Sequence, residues 1–287
     1  MDLSDLFDPD NVSNNRWFSI ANASRYEAGE SHSFTFYLAF GDSPFEALRQ
    51  FRLANPELNR DPVANAGADQ TVECTSPAGA SVTLQGSGSD PDEDELTFTW
   101  DVPDGVVLND PSSPTPRGVF PIGVTTATLT VTDAKGGIDV DAVVITVVDT
   151  HPPEVVCSTD TPALFPPNHR LVEVGVFIGA TDACTSPSDL RLVSVLVTSN
   201  EPDEGLGDGD TAGDVNNRDA FTAPVNITSA FLYDAATEGF QGTVRLRAER
   251  DGRGVGRSYS IQATVIDTAG NPAVTSCVVV VPHDRRG

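Results

Sequence analysis

Long hydrophobic runs are missing from this sequence: the longest apolar stretch, Cys277 to Pro282, has six residues. A membrane-spanning helix needs about 18. Positive charge is scarce too. Sixteen Arg and a single Lys, Lys135, stand against 42 acidic side chains, for a formal net charge of −25. That excludes a nucleic-acid backbone or an anionic membrane surface as the default partner, because both demand a Lys/Arg face. Aromatics make up 7% of residues with only two Trp, so stacking platforms are few. Catalytic signatures are lacking. The four His (His32, His151, His169, His283) sit in unrelated contexts, with no H-E-x-x-H and no G-x-S-x-G. None of the four Cys belongs to a C-x-x-C pair, which argues against a zinc ribbon or a redox motif. After Met1 come Asp2, Asp5, Asp8 and Asp10 instead of basic and apolar leader regions. Composition favours a piece of a longer secreted chain over a cytosolic protein.

What the sequence does have is strand grammar. From about residue 63 onward, short runs rich in Val, Thr and aromatics alternate polar with apolar: Ser81–Leu84, Leu96–Trp100, Thr125–Thr132, Asp139–Val148. Turn residues separate them, at Ser76–Gly79, Asp90–Asp92, Pro103–Gly105 and Ala134–Gly137. Seven or so strands in ~90 residues predict an immunoglobulin-like sandwich. The Pro pair in Asp149-Thr-His-Pro-Pro-Glu154 cannot lie within a central strand and marks a junction. Strand patterns resume at Leu171–Ile178, Leu190–Thr198, Thr243–Ala248, Ser258–Ile266 and Ala273–Val281. The expected organisation is therefore all-β tandem sandwiches. Residues 61–149 form the first and 150–287 the second, the latter carrying a long acidic loop over 199–242. Residues 1–60 read as a partial N-terminal domain or arm: strands at Trp17–Ala21 and Ser33–Phe40, then a helix over Ser43–Leu53. Ser43 is placed to cap that helix, with Pro44 in its first turn.

Several of these motifs resemble one family. Pro62-Val-Ala-Asn-Ala-Gly67, Val82-Thr-Leu-Gln-Gly-Ser-Gly-Ser-Asp-Pro-Asp92, Leu96-Thr-Phe-Thr-Trp100 and Leu129-Thr-Val-Thr-Asp133 resemble a PKD (polycystic kidney disease) domain. One departure is Trp100-Asp-Val-Pro-Asp-Gly105, which keeps the acids of the family's usual Asp-Phe-Gly-Asp-Gly but loses its middle. Residues 150–287 are similar to HYR-type repeats, through Pro166-Pro-Asn-His169, Ala180-Thr-Asp-Ala-Cys184 and Asp267-Thr-Ala-Gly-Asn-Pro272. The resemblance implies extracellular spacers, adhesion units or accessory domains beside an enzyme. It does not identify a site.

Two acidic constellations suit a hard cation. Asp90, Asp92 and Asp94, with Asp101 farther on, resemble EF-hand spacing, but Glu95 replaces the required Gly and a strand follows, which excludes an EF-hand. The alternative is a solvated turn whose carboxylates cap amides. Asp203, Asp208, Asp210 and Asp214 lie among glycines that could fold tightly round calcium, or simply form a flexible acidic loop. Four cysteines allow three disulfide pairings. Cys157 and Cys277 fall in the first and last strands of the second sandwich, expected side by side, and Cys74 and Cys184 face each other across the junction. Arg245 and Arg247 should share the outward face of a strand, available to the acidic loop, while His169 after Pro-Pro-Asn reads as a loop pin. The reading is a non-enzymatic extracellular structural or adhesion segment, stiffened by calcium and disulfides, with other protein subunits or a surface polysaccharide as partners. Two alternatives stay open: an accessory region of a secreted hydrolase, or a subunit of an extracellular filament or surface layer.

Overall fold

The computed structural model describes residues 59–202, 211–251 and 256–282. The strands and helix expected before residue 58, and Asp203, Asp208 and Asp210, lie outside them. Regular structure in the described chain is all strand, apart from single 3-10 turns at Pro187–Asp189 and Thr228–Ala230. By contact it forms two compact units. Among the described residues, one comprises 59–64, Gly88–Phe98 and Thr130–Val140, and the other Asn65–Ser87, Thr99–Leu129 and 141–282.

Among the described residues, eight strands precede the Pro pair. They are β1 (Val63–Asn65), β2 (Gln70–Glu73), β3 (Ala80–Thr83), β4 (Ser87–Ser89), β5 (Leu96–Asp101), β6 (Arg117–Phe120), β7 (Gly123–Asp133) and β8 (Ile138–Val148). Their sheets run β2-β8-β7-β5, β3-β6 and β1-β4. Ser87–Ser89 is a short strand whose backbone pairs with β1. Alternation decides which faces are buried. Thr125, Ala127, Leu129, Val131 and Asp133 on β7 all point inward, as do Val143, Ile145 and Val147 on β8. Trp100 is core, its indole N–H donating to the Pro114 carbonyl at 3.3 Å.

Eight strands follow it among the described residues. They are β9 (Glu154–Thr159), β10 (Leu171–Thr181), β11 (Arg191–Ser199), β12 (Val225–Asn226), β13 (Leu232–Asp234), β14 (Gly239–Arg247), β15 (Gly256–Ile266) and β16 (Pro272–Pro282). Two four-stranded sheets, β13-β14-β10-β9 and β12-β11-β15-β16, close over one core. Val174, Val176, Ile178, Val244 and Leu246 come from one face, and Val195, Val197, Tyr259, Ile261 and Ala263 from the other. The stretch 199–242 is not one open loop. Its apolar residues Val215, Ala220, Val225, Ile227 and Phe231 are buried in that core, which recruits β12, β13 and the start of β14.

The cysteines pair as Cys74–Cys184 and Cys157–Cys277, with Cα separations of 5.9 and 5.3 Å. β9 and β16 are not hydrogen-bonded neighbours: each is the edge of a different sheet. Cys157–Cys277 therefore staples the sandwich along one open side. The segment after β9 covers that side further, where Leu164 N–H donates to the Val280 carbonyl at 2.8 Å and Val280 N–H to Pro162 at 2.9 Å.

β1 is short because side chains, not backbone, take the amide of Ala64 within it and that of Ala66 just beyond it. Ala64 N–H donates to Asp139 and Ala66 N–H to Asp141, each at 2.8 Å. The bond from Ala66 holds the Asp141 carboxyl below its ordinary value, aided by Ala142. A depressed folded-state value means that the ion's contribution is present above about pH 4 and is lost as pH falls through the folded value. Asp141→Asn should therefore lower urea stability at about pH 7, with the difference from wild type shrinking toward about pH 3. An equal loss at both pH values would remove the charge from this account.

Candidate functional site

The first acidic turn folds on itself. Asp90 accepts at one oxygen from the amides of Asp92 (2.7 Å) and Asp94 (3.2 Å). Asp92 then leaves the group. Its carboxylate takes Arg60 through the backbone N–H (2.7 Å) and Nε (2.6 Å), and the guanidinium holds its carboxyl below the ordinary range. Asp101 is exposed at the end of β5. In their place the fold supplies Asp133. Carboxylate oxygens of Asp90, Asp94 and Asp133 lie within 4.8 Å of one another.

Asp133 arrives there because it continues the inward register of Leu129 and Val131 and ends β7 nearly buried. Asn59 Nδ2 donates to one of its oxygens at 2.8 Å, and the amides of Lys135 and Gly137 donate to the other, each at 2.8 Å. These donors, the Asn59 amide foremost, hold the Asp133 carboxyl below its ordinary value. Gly136 turns the hairpin with φ of +94°, a conformation that favours glycine. Lys135 Nζ sits 3.1 Å from Asp94 and its own pKa is raised by that carboxylate. Three oxygens here are buried without a hydrogen-bond partner among the described residues, Asn59 Oδ1, Asp90 Oδ2 and Asp94 Oδ2, and of these Asp94 Oδ2 faces Lys135. Orphaned oxygens beside three carboxylates, with no nitrogen or sulfur ligand, are a donor set that suits calcium. The signal for Asp133 was in the sequence, as an acid on the apolar phase of Leu129-Thr-Val-Thr-Asp133.

Asp214 belongs to a different arrangement. It is fully buried and ion-paired with Arg257 Nη1, with Arg247 Nε at 4.0 Å. Arg257, itself fully buried, also faces Glu201 at 3.7 Å and donates to the Pro202 carbonyl at 2.8 Å. Arg247 was expected on the outward face with Arg245. Arg245 is exposed, but Arg247 is buried, because the 211–218 segment folds over the end of β14 and offers the carbonyls of Ala212 (2.9 Å) and Gly213 (3.0 Å) to its guanidinium. His169 Nδ1 pairs with the fully buried Glu249 at 2.9 Å, while the amides of Asn168 and His169 donate to the Ala248 carbonyl. That anchors the Pro-Pro-Asn-His loop. Satisfied by arginines, Asp214 is a structural ion and not a vacant ligand.

Residues 59–147 match the family model of the PKD domain. No curated protein matches the chain. Solved structures give three representative likenesses. The PKD domain of the KIAA 1837 protein is 27% identical over 31% of this chain and 89% of its own, with a TM-score of 0.27. Human protocadherin-24 EC1-2 is 12% identical over 78% of this chain and 98% of its own, with a TM-score of 0.32. A nucleoside hydrolase-related hypothetical protein from Saccharophagus degradans, associated with carbohydrate metabolism, is 20% identical over 39% of this chain, with a TM-score of 0.28. The alignment spans 35% of that protein's length.

Two outcomes follow from the ion network. Arg257→Met should cost about 3–5 kcal/mol, since it strands Asp214 without its partner in a dry interior; equilibrium denaturation measures it. Tyr259, whose hydroxyl donates to the Arg247 carbonyl at 2.9 Å, has its phenol pushed up to about 12 by burial, against the opposing charge of Arg257. The folded state then holds that proton harder than the unfolded state, so stability persists below about pH 10 and is lost as pH climbs toward about 12. Phenolate absorbance should show Tyr259 ionising only near that limit, and the late step should vanish in Tyr259→Phe.

Proposed function

We propose that this chain is an extracellular structural or adhesion segment, a run of β-sandwiches in which calcium and disulfides supply rigidity. The observation that carries the reading is the convergence of Asp90, Asp94 and Asp133 beside the orphaned oxygens of Asn59 and Asp90. Disulfides persist mainly in oxidising compartments, and both cystines fit that setting. The PKD match over 59–147 supports it as well. Among the described residues no helix is long and apolar enough to cross a membrane. Partners on this reading are other protein subunits or a surface polysaccharide.

In this site Asp90, Asp94 and Asp133 would hold the ion, with Asn59 as a neutral oxygen donor. A half-turn of the Asn59 amide exchanges Nδ2 for Oδ1 against Asp133, turning a donor into a ligand. Lys135 is the resident counter-charge that calcium displaces from Asp94. What the cation adds is cross-linking: it ties the segment before β1, the turn before β5 and the β7–β8 hairpin.

Extracellular modules bind calcium with dissociation constants of ~10⁻⁴–10⁻³ M. At about 2 mM that contributes roughly 0.7–1.8 kcal/mol, a few degrees of melting temperature. Wild type should melt higher in calcium than in EDTA, and Asp133→Asn should lose the difference. Superimposable wild-type curves in the two buffers would leave an acidic turn neutralised by Arg60 and Lys135 and nothing more.

A further inference from the structure

The second half of the chain repeats the construction of the first site, at residues to which no ion has been assigned above. The hairpin is reproduced in sequence and in geometry. Leu129-Thr-Val-Thr-Asp133-Ala-Lys-Gly-Gly137 corresponds to Ala263-Thr-Val-Ile-Asp267-Thr-Ala-Gly-Asn271. Asp267 continues the inward register of Ala263 and Val265 and is buried, as Asp133 is on β7. It accepts the Asn271 amide at 2.8 Å, as Asp133 accepts that of Gly137, and Gly270 has the same φ of +94° as Gly136.

The other two pieces recur as well. Asp182 follows β10 as Asp90 follows β4, and each accepts the amide two residues on at 2.7 Å, from Cys184 and Asp92 respectively. The entering segment is Asp149-Thr-His-Pro152 where the first is Asn59-Arg-Asp-Pro62, with the acid or amide three residues before the proline in both. Asp149 also continues a strand's inward register, that of Val143, Ile145 and Val147 on β8.

These residues meet. Ligand atoms of Asp149 and Asp182 lie within 4.8 Å of each other and of Cys184 Sγ. That sulfur is bonded to Cys74, so the available donors are oxygens alone. Asn271 Nδ2 donates to Asp267 at 2.8 Å and to the Asp149 carbonyl at 3.1 Å, bringing hairpin and entering segment together. The hydroxyls of Thr185 and Thr268, 2.9 Å apart, fasten the Asp182 loop to the same hairpin. The independent pointer to a ligand is Asp149 itself. Its side chain is nine-tenths buried, one oxygen takes only the His151 amide at 3.3 Å, and Oδ2 is buried with no hydrogen-bond partner. No Lys or Arg approaches it within ion-pair distance among the described residues; nearby His151 is paired with Glu73 at 2.9 Å.

We propose that Asp149 and Asp182, with Asp267 as the third carboxylate, form a second calcium site, a repeat of the one at Asn59, Asp90, Asp94 and Asp133. The choice of calcium draws on the reading of the first site, whereas the existence of the second stands on its own geometry.

The test is calorimetric titration of the full chain with calcium chloride, for wild type, Asp182→Asn and Asp133→Asn, each first checked for native far-UV dichroism. Asp182→Asn should lose one binding event and keep the one that Asp133→Asn abolishes. A titration of Asp182→Asn identical to wild type overturns the second site. A wild-type-like Asp133→Asn beside a deficient Asp182→Asn overturns the first site and leaves the second standing. Wild type also provides a readout that needs no variant. Calcium should shift the amide resonances of Cys184 and Thr185, whose N–H groups both donate to Asp182 at 2.7 Å. Amides unmoved at saturating calcium overturn the proposal.

Discussion

An inward-pointing position at the end of a β-strand poses a problem when the residue there is an acid. The period of two that buries Leu129 and Val131 carries Asp133 to the same face, and the same arithmetic carries Asp149 and Asp267 inward behind their own strands. A carboxylate left there must find donors or a counter-charge, since burying it bare costs several kcal/mol. The fold answers with hairpin amides, with asparagine side chains (Asn59 and Asn271), and, on our reading, with cations. The turns, the entering segments and the clustering of other acids around these three positions all follow from that one constraint.

Arg257 and Arg247 meet the opposite problem in the second sandwich. Two guanidiniums are buried where Val and Leu would serve the hydrophobic core, and they are matched by Asp214, Glu201 and main-chain carbonyls. Buried ion pairs of this kind add little net stability compared with well-packed hydrocarbon, but they punish any alternative packing that separates the partners. Here they hold the 211–218 segment over the end of β14. The acidic stretch that follows β11 is thereby attached to the body at Asp214.

Much of the fold could be read from alternation alone, because strand after strand keeps a clean period of two between turn residues. Strand ends differed from expectation by a few residues, where pairing partners, invisible locally, extend or shorten a run. The missed features have common causes. Arg247 was assigned outward because alternation does not foresee a distant segment folding across a strand end. Cys157 and Cys277 pair as expected, but from facing edges of two sheets instead of neighbouring strands, since edge order is a property of topology, not of spacing. At the acidic turn, counting Asp residues one, three and five selected Asp92, but a strong local donor, Arg60, takes it. Asp133, some forty residues away in sequence, stands beside Asp90 and Asp94 instead. Carboxylates close in sequence repel and disperse toward whatever donors the fold brings them, whereas those on separate elements are brought together by packing.

The two cystines have a mechanical consequence. Cys157 lies inside the loop closed by Cys74–Cys184, and Cys277 lies outside it, so the two covalent rings share residues 157–184. A pull applied at Cys74 and Cys277 therefore has a shorter route than the main chain: across one bond to Cys184, back to Cys157, and across the other. Only about 27 residues lie on that detour, against about 200 along the backbone, which caps full extension near 90–100 Å. If the strands of both sandwiches were stripped apart, the chain would still stop lengthening at roughly one-seventh of its contour. A tether built in this way fails by breaking sulfur–sulfur bonds, not by paying out slack.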